Sequence, residues 1–439
     1  MSDLGEFFRL TATILVNGGW IGFVIGFYFM LKILYIDYIQ IEWYKKLEWV
    51  FVKISVPHEN ETSPLAFEHI FNQMHVMHAH LTWAERYLEG QFYIWMTWEI
   101  TSIGGEIGNY VRLLKKYKPS LEAAVYSQFP GAEVVEVEDY FKQLPKYHTD
   151  TAPYDIFAYS MRPIKPTYYP IRSFLDFEHS TAETMVDPVS GVWEAIGAIS
   201  PYEMYVIQFV LRPIGDHDWK PAGYELVKKL KGEKETLTHH ADWFEKILGG
   251  IGAIFGPLLD IIIRPGESEG HKAKKEDDLP LSRMLHLSEG EKNIINLIER
   301  NLSKWGYQTK INCLYVAPRE KYNPRPVTSA VIGAFKAFGA ENINSLKPDL
   351  SRWTNVHYWL FKNLEKSVVQ LRLKFRKRKL MFLIRNRWYF WGMPPVILST
   401  ESLASMIHFP QTLKVKVPDI ARVQVTKVQP PPELPVAPL

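Results

Sequence analysis

Three histidines, His75, His78 and His80, are the strongest candidates for metal chemistry, because neutral imidazoles bind transition metals and His75 and His78 share a helical face at i, i+3. His80 falls on another face and Glu85 is the nearest carboxylate, so no full donor set forms and surface or packing histidines are the better reading. Asp216, His217 and Asp218 place two carboxylates around an imidazole, but they follow a predicted strand and Gly215-Asp216 reads more simply as a turn. The chain lacks GxxxxGK[ST], so it has no P-loop to cradle nucleotide phosphates, and it lacks HExxH and a DFG-like set. The expectation is a protein that is not an enzyme and binds no cofactor. A membrane-tethered metal-dependent enzyme built on these histidines or on Asp216–Asp218 is the alternative.

The second concentration of reactive side chains is basic. Arg372, Lys374, Arg376, Lys377, Arg378, Lys379, Arg385 and Arg387 place eight positive charges within 16 residues, a density that the net charge of +3 conceals. Such a segment can neutralise phosphates on DNA or on anionic lipid headgroups, or be a solvated face. Val369, Leu373, Leu380 and Ile384 recur at helical spacing, which predicts a helix over Leu364 to Arg387 with one packed and one basic side; a strand through Leu371, Leu373 and Phe375 also fits. An anionic-lipid-binding envelope protein is therefore a further alternative. At the end of the chain, Pro430, Pro431, Pro432, Pro435 and Pro438 stand in QPPPELPVAPL, which predicts an extended polyproline-like tail suited to partner docking.

The elements that must position these residues begin with an uncharged apolar run from Leu10 to Leu31, bracketed by Arg9 and Lys32. Its 22 residues give about 33 Å of helix, enough to cross a hydrocarbon core of about 30 Å. A signal peptide would have a basic n-region and a shorter core, whereas Met1 to Arg9 carries Asp3 and Glu6 and no small-residue cleavage site follows. Lys32, Lys45, Lys46 and Lys53 follow the run and only Arg9 precedes it, which predicts a single-pass protein of the inner membrane with its N-terminus outside and its body cytoplasmic. Tyr28, Tyr35, Tyr38, Trp43 and Tyr44 form an aromatic belt at that end.

The remainder reads as a large globular body: 47% hydrophobic, 23% charged, and long enough for about three domains. Its one cysteine, Cys313, excludes an internal disulfide and reads as a small buried apolar residue. Trp49 to Pro57 reads as a strand, Ser63-Pro64 opens a helix to about His80, Gln91 to Ile103 and Gly108 to Leu114 are strands, Lys118 to Phe129 is a helix, and Glu133 to Glu138 is a strand. This βαββαβ order predicts a ferredoxin-like unit. A second is expected from a strand at Ser173 to Phe177, a helix capped by Asp187-Pro188, strands near Tyr205 to Leu211 and Tyr307 to Tyr315, a helix over Val327 to Phe338 and a strand at Asn342 to Leu346.

The expected fold is thus α+β, divided into an extracytoplasmic tip (1–9), a transmembrane helix (10–36), a first ferredoxin-like unit (46–145), a second (146–350) with a helical insertion (216–306), a basic helical region (351–410) and a proline-rich tail (411–439). Within the insertion, Ile247 to Ile263 is apolar except for Asp260, and Gly252 and Gly256 have GxxxG spacing. A second crossing, a hairpin on the membrane surface and an ordinary buried segment all fit it. Glu267 to Asp278 reads as a mixed-charge loop, and Ser288 with Glu291 as a capping box.

Several stretches, FVKISVPHENETSPLAFEHIF, SLEAAVYSQFPGAEVVEVEDY, LSEGEKNIINLIERNLSKWGYQTKINCLYVAPRE, AFGAENINSLKPD and ILSTESLASMIHFP, resemble uncharacterised bacterial membrane proteins allied to the N-terminal regions of type IV secretion and conjugation ATPases, in the same order over most of Val50 to Pro410. In that family, as the resemblance implies, such a region precedes a DNA-translocating motor, joined by a linker similar to VQPPPELPVAPL, or is made as a separate chain beside one. Here the sequence stops at Leu439, so the resemblance implies an oligomeric membrane scaffold or adaptor that docks a separate P-loop ATPase, with DNA as a further expected partner.

Overall fold

The computed structural model describes residues 13, 16, 20–57, 62–144, 151–178, 187–231, 287–351, 353–354 and 362–410. In chain order the elements are α1 (Trp20–Lys45), β1 (Trp49–Ser55), α2 (Leu65–Met74), α3 (Trp83–Tyr87), β2 (Met96–Ile103), β3 (Glu106–Leu114), α4 (Lys118–Gln128), β4 (Glu133–Glu136) and β5 (Tyr154–Pro163). There follow α5 (Phe174–Glu178), α6 (Pro188–Gly197), β6 (Met204–Ile214), α7 (Lys220–Lys231), α8 (Glu289–Ser303), β7 (Gly306–Pro318), α9 (Arg325–Phe335), β8 (Leu346–Pro348), α10 (Lys362–Asn386), β9 (Val396–Ser399) and α11 (Thr400–Ile407). The fold is mixed α/β, with a long apolar N-terminal helix and an antiparallel sheet. His217–Ser303 form a unit of their own, in which α7 and α8 pack together and Lys231 Nζ meets Glu299 Oε1 at 2.5 Å.

The sheet runs β4-β1-β3-β2-β6-β7-β5-β8, and β9 pairs with the N-terminal part of β7. The first four strands in sequence stand in the spatial order 4-1-3-2, and so do the next four when read from β8 inward. The two sets meet at β2 and β6, paired from Met96–Leu211 to Ile103–Met204, so one sheet contains both. β7 is long enough to pair with β6 along one edge and with β5 and then β9 along the other.

Both faces of the central strands are covered. Tyr159, Tyr205, Ile207, Cys313 and Tyr315 face a core shared with α2, α4, α6, α9 and α11. Ala158, Val206, Leu314 and Val316 alternate with them and face a second core, closed by Leu380, Met381 and Ile384 of α10. Cys313 is buried beside the Tyr159 and Tyr205 hydroxyls, which are 2.8 Å apart, and burial pushes its thiol up to about 12.

Local signals explain several boundaries. Asp187 caps α6 by accepting from Val189 N at 2.9 Å, ahead of Pro188 in the first turn. Ser288 and Glu291 form the expected reciprocal capping box at α8, and Thr82 with Glu85 form another at α3. Other expectations are corrected. Ser173 to Phe177 is not a strand: Asp176 Oδ2 accepts from Ser173 N at 3.0 Å, which favours the turn of α5. The first strand of the second set is instead Tyr154–Pro163. The segment at Asn342 to Leu346 begins pairing only at Leu346, because Asn344 Oδ1 is occupied by the amides of Ile164 and Lys165. Phe92 and Ile94 precede β2, and the helix expected from Ser63-Pro64 to His80 ends at Met74, followed by a 3-10 turn, His75–Met77.

The uncharged run and the helix overlap without coinciding. α1 extends to Lys45, nine residues beyond the expected limit of 36, and it is long and apolar enough to cross a membrane. Every residue from Trp20 to Tyr35 is exposed, whereas Ile36, Ile39, Gln40, Trp43 and Tyr44 are partly buried on the body at helical spacing. The expected tip at 1–9, the apolar run Ile247 to Ile263, the mixed-charge run Glu267 to Asp278 and the proline tail lie outside the described residues.

Candidate functional site

The basic segment forms α10, and the structure divides its eight cations into two groups. Lys377 Nζ pairs with Asp155 Oδ1 at 2.5 Å, Arg376 Nη1 donates to Trp353 O at 3.4 Å, and Arg385 Nη1 donates to Leu144 O. Arg387 is 1% exposed and belongs to the body's interior. These four hold α10 to the sheet and its adjoining loops. Arg372, Lys374, Arg378 and Lys379 are exposed, interleaved with exposed Val368, Leu371 and Phe375. The expected helix with one packed and one basic side is thus only partly basic surface, because Arg376, Lys377, Arg385 and Arg387 are engaged by the rest of the fold.

Arg387 closes a buried polar network. Its Nε and Nη2 donate to Glu99 Oε1 and Oε2 at 2.6 and 2.9 Å, and its Nη1 and Nη2 reach Asp139 Oδ2 and Oδ1 at 2.5 and 3.1 Å. Glu99 also accepts from the Tyr140 hydroxyl at 2.7 Å and from Gln208 Nε2 at 2.8 Å. Asn312 Nδ2 donates to Gln208 Oε1 at 3.3 Å, and Ser160 Oγ donates to Asn312 Oδ1 at 2.8 Å. Because Glu99, Gln208, Asn312 and Ser160 are directly paired on β2, β6, β7 and β5, the network is a polar row across both halves of the sheet.

The electrostatics follow from this arrangement. Burial would raise the Asp139 carboxyl, but Arg387 outweighs it and holds the group below its ordinary value. Burial works against the Arg387 charge, and Glu99 overcomes it, so the guanidinium is held protonated more firmly than in water. Tyr140 is pushed well above its ordinary value by burial and by Glu99. Every strong donor and acceptor in this cluster is engaged by the protein itself, which makes it a structural lock.

The backbone at Arg387 explains why the lock sits there. Trp388 N donates to Leu383 O at 3.0 Å and Arg387 N to Ile384 O at 3.1 Å, the Schellman pattern that ends α10. The residue at the turn has φ 54°, a position that glycine usually fills. An arginine here reaches Glu99 and Asp139, and its carbonyl accepts from Trp95 Nε1 at 2.8 Å. Lys310 Nζ donates to Trp391 O at 3.0 Å and to Tyr389 O, fixing the 388–391 loop on β7.

That loop forms one wall of an aromatic site against the end of α1. Tyr44 lies 6.1 Å from Trp95, nearly parallel, and 5.1 Å from Trp388, edge on; Trp43 meets Phe92 at 4.7 Å, and Phe92 meets Phe390 at 5.0 Å. The half-buried Arg112 guanidinium lies 4.0 Å over Trp49, and its Nη2 donates to the Tyr44 hydroxyl at 3.4 Å. On another face of α1, a Cβ added at Gly90, whose φ is 73°, would lie 2.4 Å from the Ile39 carbonyl carbon. Only glycine lets the helix backbone approach so closely. Between α1 and the loop lies a groove of about 540 Å³, lined by Asp37, Ile41, Phe92, Phe382, Trp388 and Trp391 among others.

The remaining candidates do not assemble a reactive centre. His75 and His78 rings are 5.6 Å apart, and His78 and His80 5.3 Å, but His75 Nε2 lies 3.1 Å from Ile214 O and its ring stacks near Trp305. Asp216–Asp218 form a 3-10 turn after β6. Among the described residues, no group of three or more His, Cys, Asp or Glu is placed to hold a metal ion. One GxSxG spacing, Gly266 to Gly270, overlaps the start of the mixed-charge run; it lies outside the described residues, as do Pro430, Pro431, Pro432, Pro435 and Pro438.

Sequence reading missed Glu99, Asp139 and Gln208, together with the aromatic groove. A glutamate inside an apolar strand, WEI at 98–100, was the available signal, since a carboxylate at such a position demands a buried cationic partner. Compared with known proteins, the chain matches no protein-family model and no curated sequence.

Proposed function

We propose that this protein is a single-pass, membrane-anchored cytoplasmic scaffold or adaptor of a translocation machine of the type IV secretion or conjugation kind, docking a separate P-loop ATPase. The observation that carries the reading is α1: its exposed apolar part continues without interruption into a part packed on the body. A helix built this way holds a large body at a fixed attitude to a membrane, which is what a platform for other subunits requires. The lysines after the apolar run favour a body on the cytoplasmic side of the inner membrane.

The repeated 4-1-3-2 strand order supports a body of two ferredoxin-like units fused through β2 and β6. In this reading the exposed Arg372, Lys374, Arg378 and Lys379 face DNA or lipid phosphate, and the proline tail engages the motor. Crosslinking in native membranes followed by mass spectrometry tests it. A P-loop ATPase joined near the proline tail is the expected product, and its reproducible absence would refute the adaptor role.

A further inference from the structure

We propose that the groove between α1 and the 388–391 loop holds the acyl chain of a zwitterionic, amine-headed membrane lipid. This assignment rests on the reading of α1 as a membrane anchor. The position of the groove along the helix is the first reason. Asp37 lies six residues beyond Leu31, the last residue of the uncharged run, or about 9 Å along the axis. A headgroup layer extends roughly 5–8 Å beyond the hydrocarbon. The Asp37 end of the groove therefore opens at the outer edge of the headgroups, and the groove extends about 10 Å further, as far as Tyr44.

The lining supplies the second reason. Ile41, Phe92, Phe382, Trp388 and Phe390 give apolar walls, and about 540 Å³ falls within the roughly 300–1,000 Å³ typical of small-molecule sites. Asp37 is the one charged residue in the lining, and it stands at the end nearest the apolar run. A carboxylate there attracts an ammonium head and repels an anionic one.

The surroundings supply the third. Trp391, at the groove, is 61% exposed, and on another face of α1 Trp83 is 68% exposed. Lys32 Nζ lies 5.8 Å over the Tyr87 ring, which places α3 beside the first charged residue after the apolar run. Exposed tryptophans flanking a helix at this level are the side chains that partition into a membrane interface.

The full chain in nanodiscs tests the assignment, using phosphatidylethanolamine and phosphatidylglycerol that each carry a diazirine at the end of one acyl chain. On irradiation, the ethanolamine lipid should label peptides containing Phe382 to Trp391, at about fivefold the yield of the glycerol lipid, the effect of one screened charge pair. Ile41→Trp, which fills the groove from a largely exposed position and should leave the melting temperature unchanged, should abolish that labelling. Asp37→Asn should remove the headgroup preference. Label confined to Trp20–Tyr35 would overturn the groove assignment while leaving the anchor intact. Label in neither region would overturn both. Equal labelling by the two lipids in the wild-type chain would overturn the headgroup assignment.

Discussion

Arg387 holds both carboxylate oxygens of Glu99, at 2.6 and 2.9 Å, from the left-handed turn that ends α10. The two residues are 288 positions apart, and their pairing fastens the C-terminal helix to the centre of the sheet. With side chains 1% and 0% exposed, neither charge has water to fall back on.

Arg387→Met should therefore destabilise the body by about 3–5 kcal/mol, because it leaves Glu99 buried without its partner. Replacing both, Arg387→Met with Glu99→Leu, should recover much of that loss. Arg387→Lys should behave more like the methionine variant, since an ammonium cannot engage two carboxylates in fork geometry. Urea unfolding followed by circular dichroism measures all three; a lysine variant as stable as wild type would contradict the bidentate account.

Asp139 makes the lock sensitive to acid. Its folded-state carboxyl is held below the ordinary value, so its contribution is present above the unfolded value of about 3.9 and is lost as pH falls through the lower, folded one. Melting temperatures between pH 3 and 7 should separate wild type from Asp139→Asn at neutral pH, and the separation should shrink below about pH 4. A separation that widened in acid would show the wrong sign.

Gly90→Ala should loosen α1 from the body, because the new Cβ meets the Ile39 carbonyl at a φ of 73°. Strain and overlap of this kind cost on the order of 1–3 kcal/mol. Hydrogen exchange should accelerate at residues 36–47 while β2, β6 and β7 keep wild-type protection. Unchanged exchange in α1 would mean that the close approach at Gly90 does not hold it.

The divided roles of the α10 cations give a paired test. Arg376→Ala with Lys377→Ala should lower the melting temperature, since Lys377 loses a half-hidden ion pair with Asp155. Arg378→Ala with Lys379→Ala should leave it near wild type. Phosphate binding by this helix should show the reverse: removing two exposed contacts should reduce the slope of log affinity against log salt by about two for duplex DNA.

What could be read from the sequence was local. Asp187-Pro188, and Ser288 with Glu291, cap helices within four residues, and they stand where their spacing placed them. The period-two side chains Tyr205, Ile207 and Phe209 do share one core. The strand at Tyr154–Pro163 escaped notice because it is buried on both faces and shows little alternation. The basic segment misled for another reason: composition cannot distinguish Arg387, whose carboxylates lie on distant elements, from Arg378, which faces water. The aromatic groove draws its walls from α1, from Phe92 and from 382–391, and no spacing rule joins such separate stretches.

From Phe27 to Glu48 the chain contains neither glycine nor proline, and the helix passes from its exposed part to its packed part with no hinge residue between them. Tyr44, Arg112 and the lock at Arg387 then clamp its end to the sheet. A pull or twist applied to the sheet thus reaches the exposed apolar part of α1 as torque on a stiff shaft instead of being absorbed by a swivel.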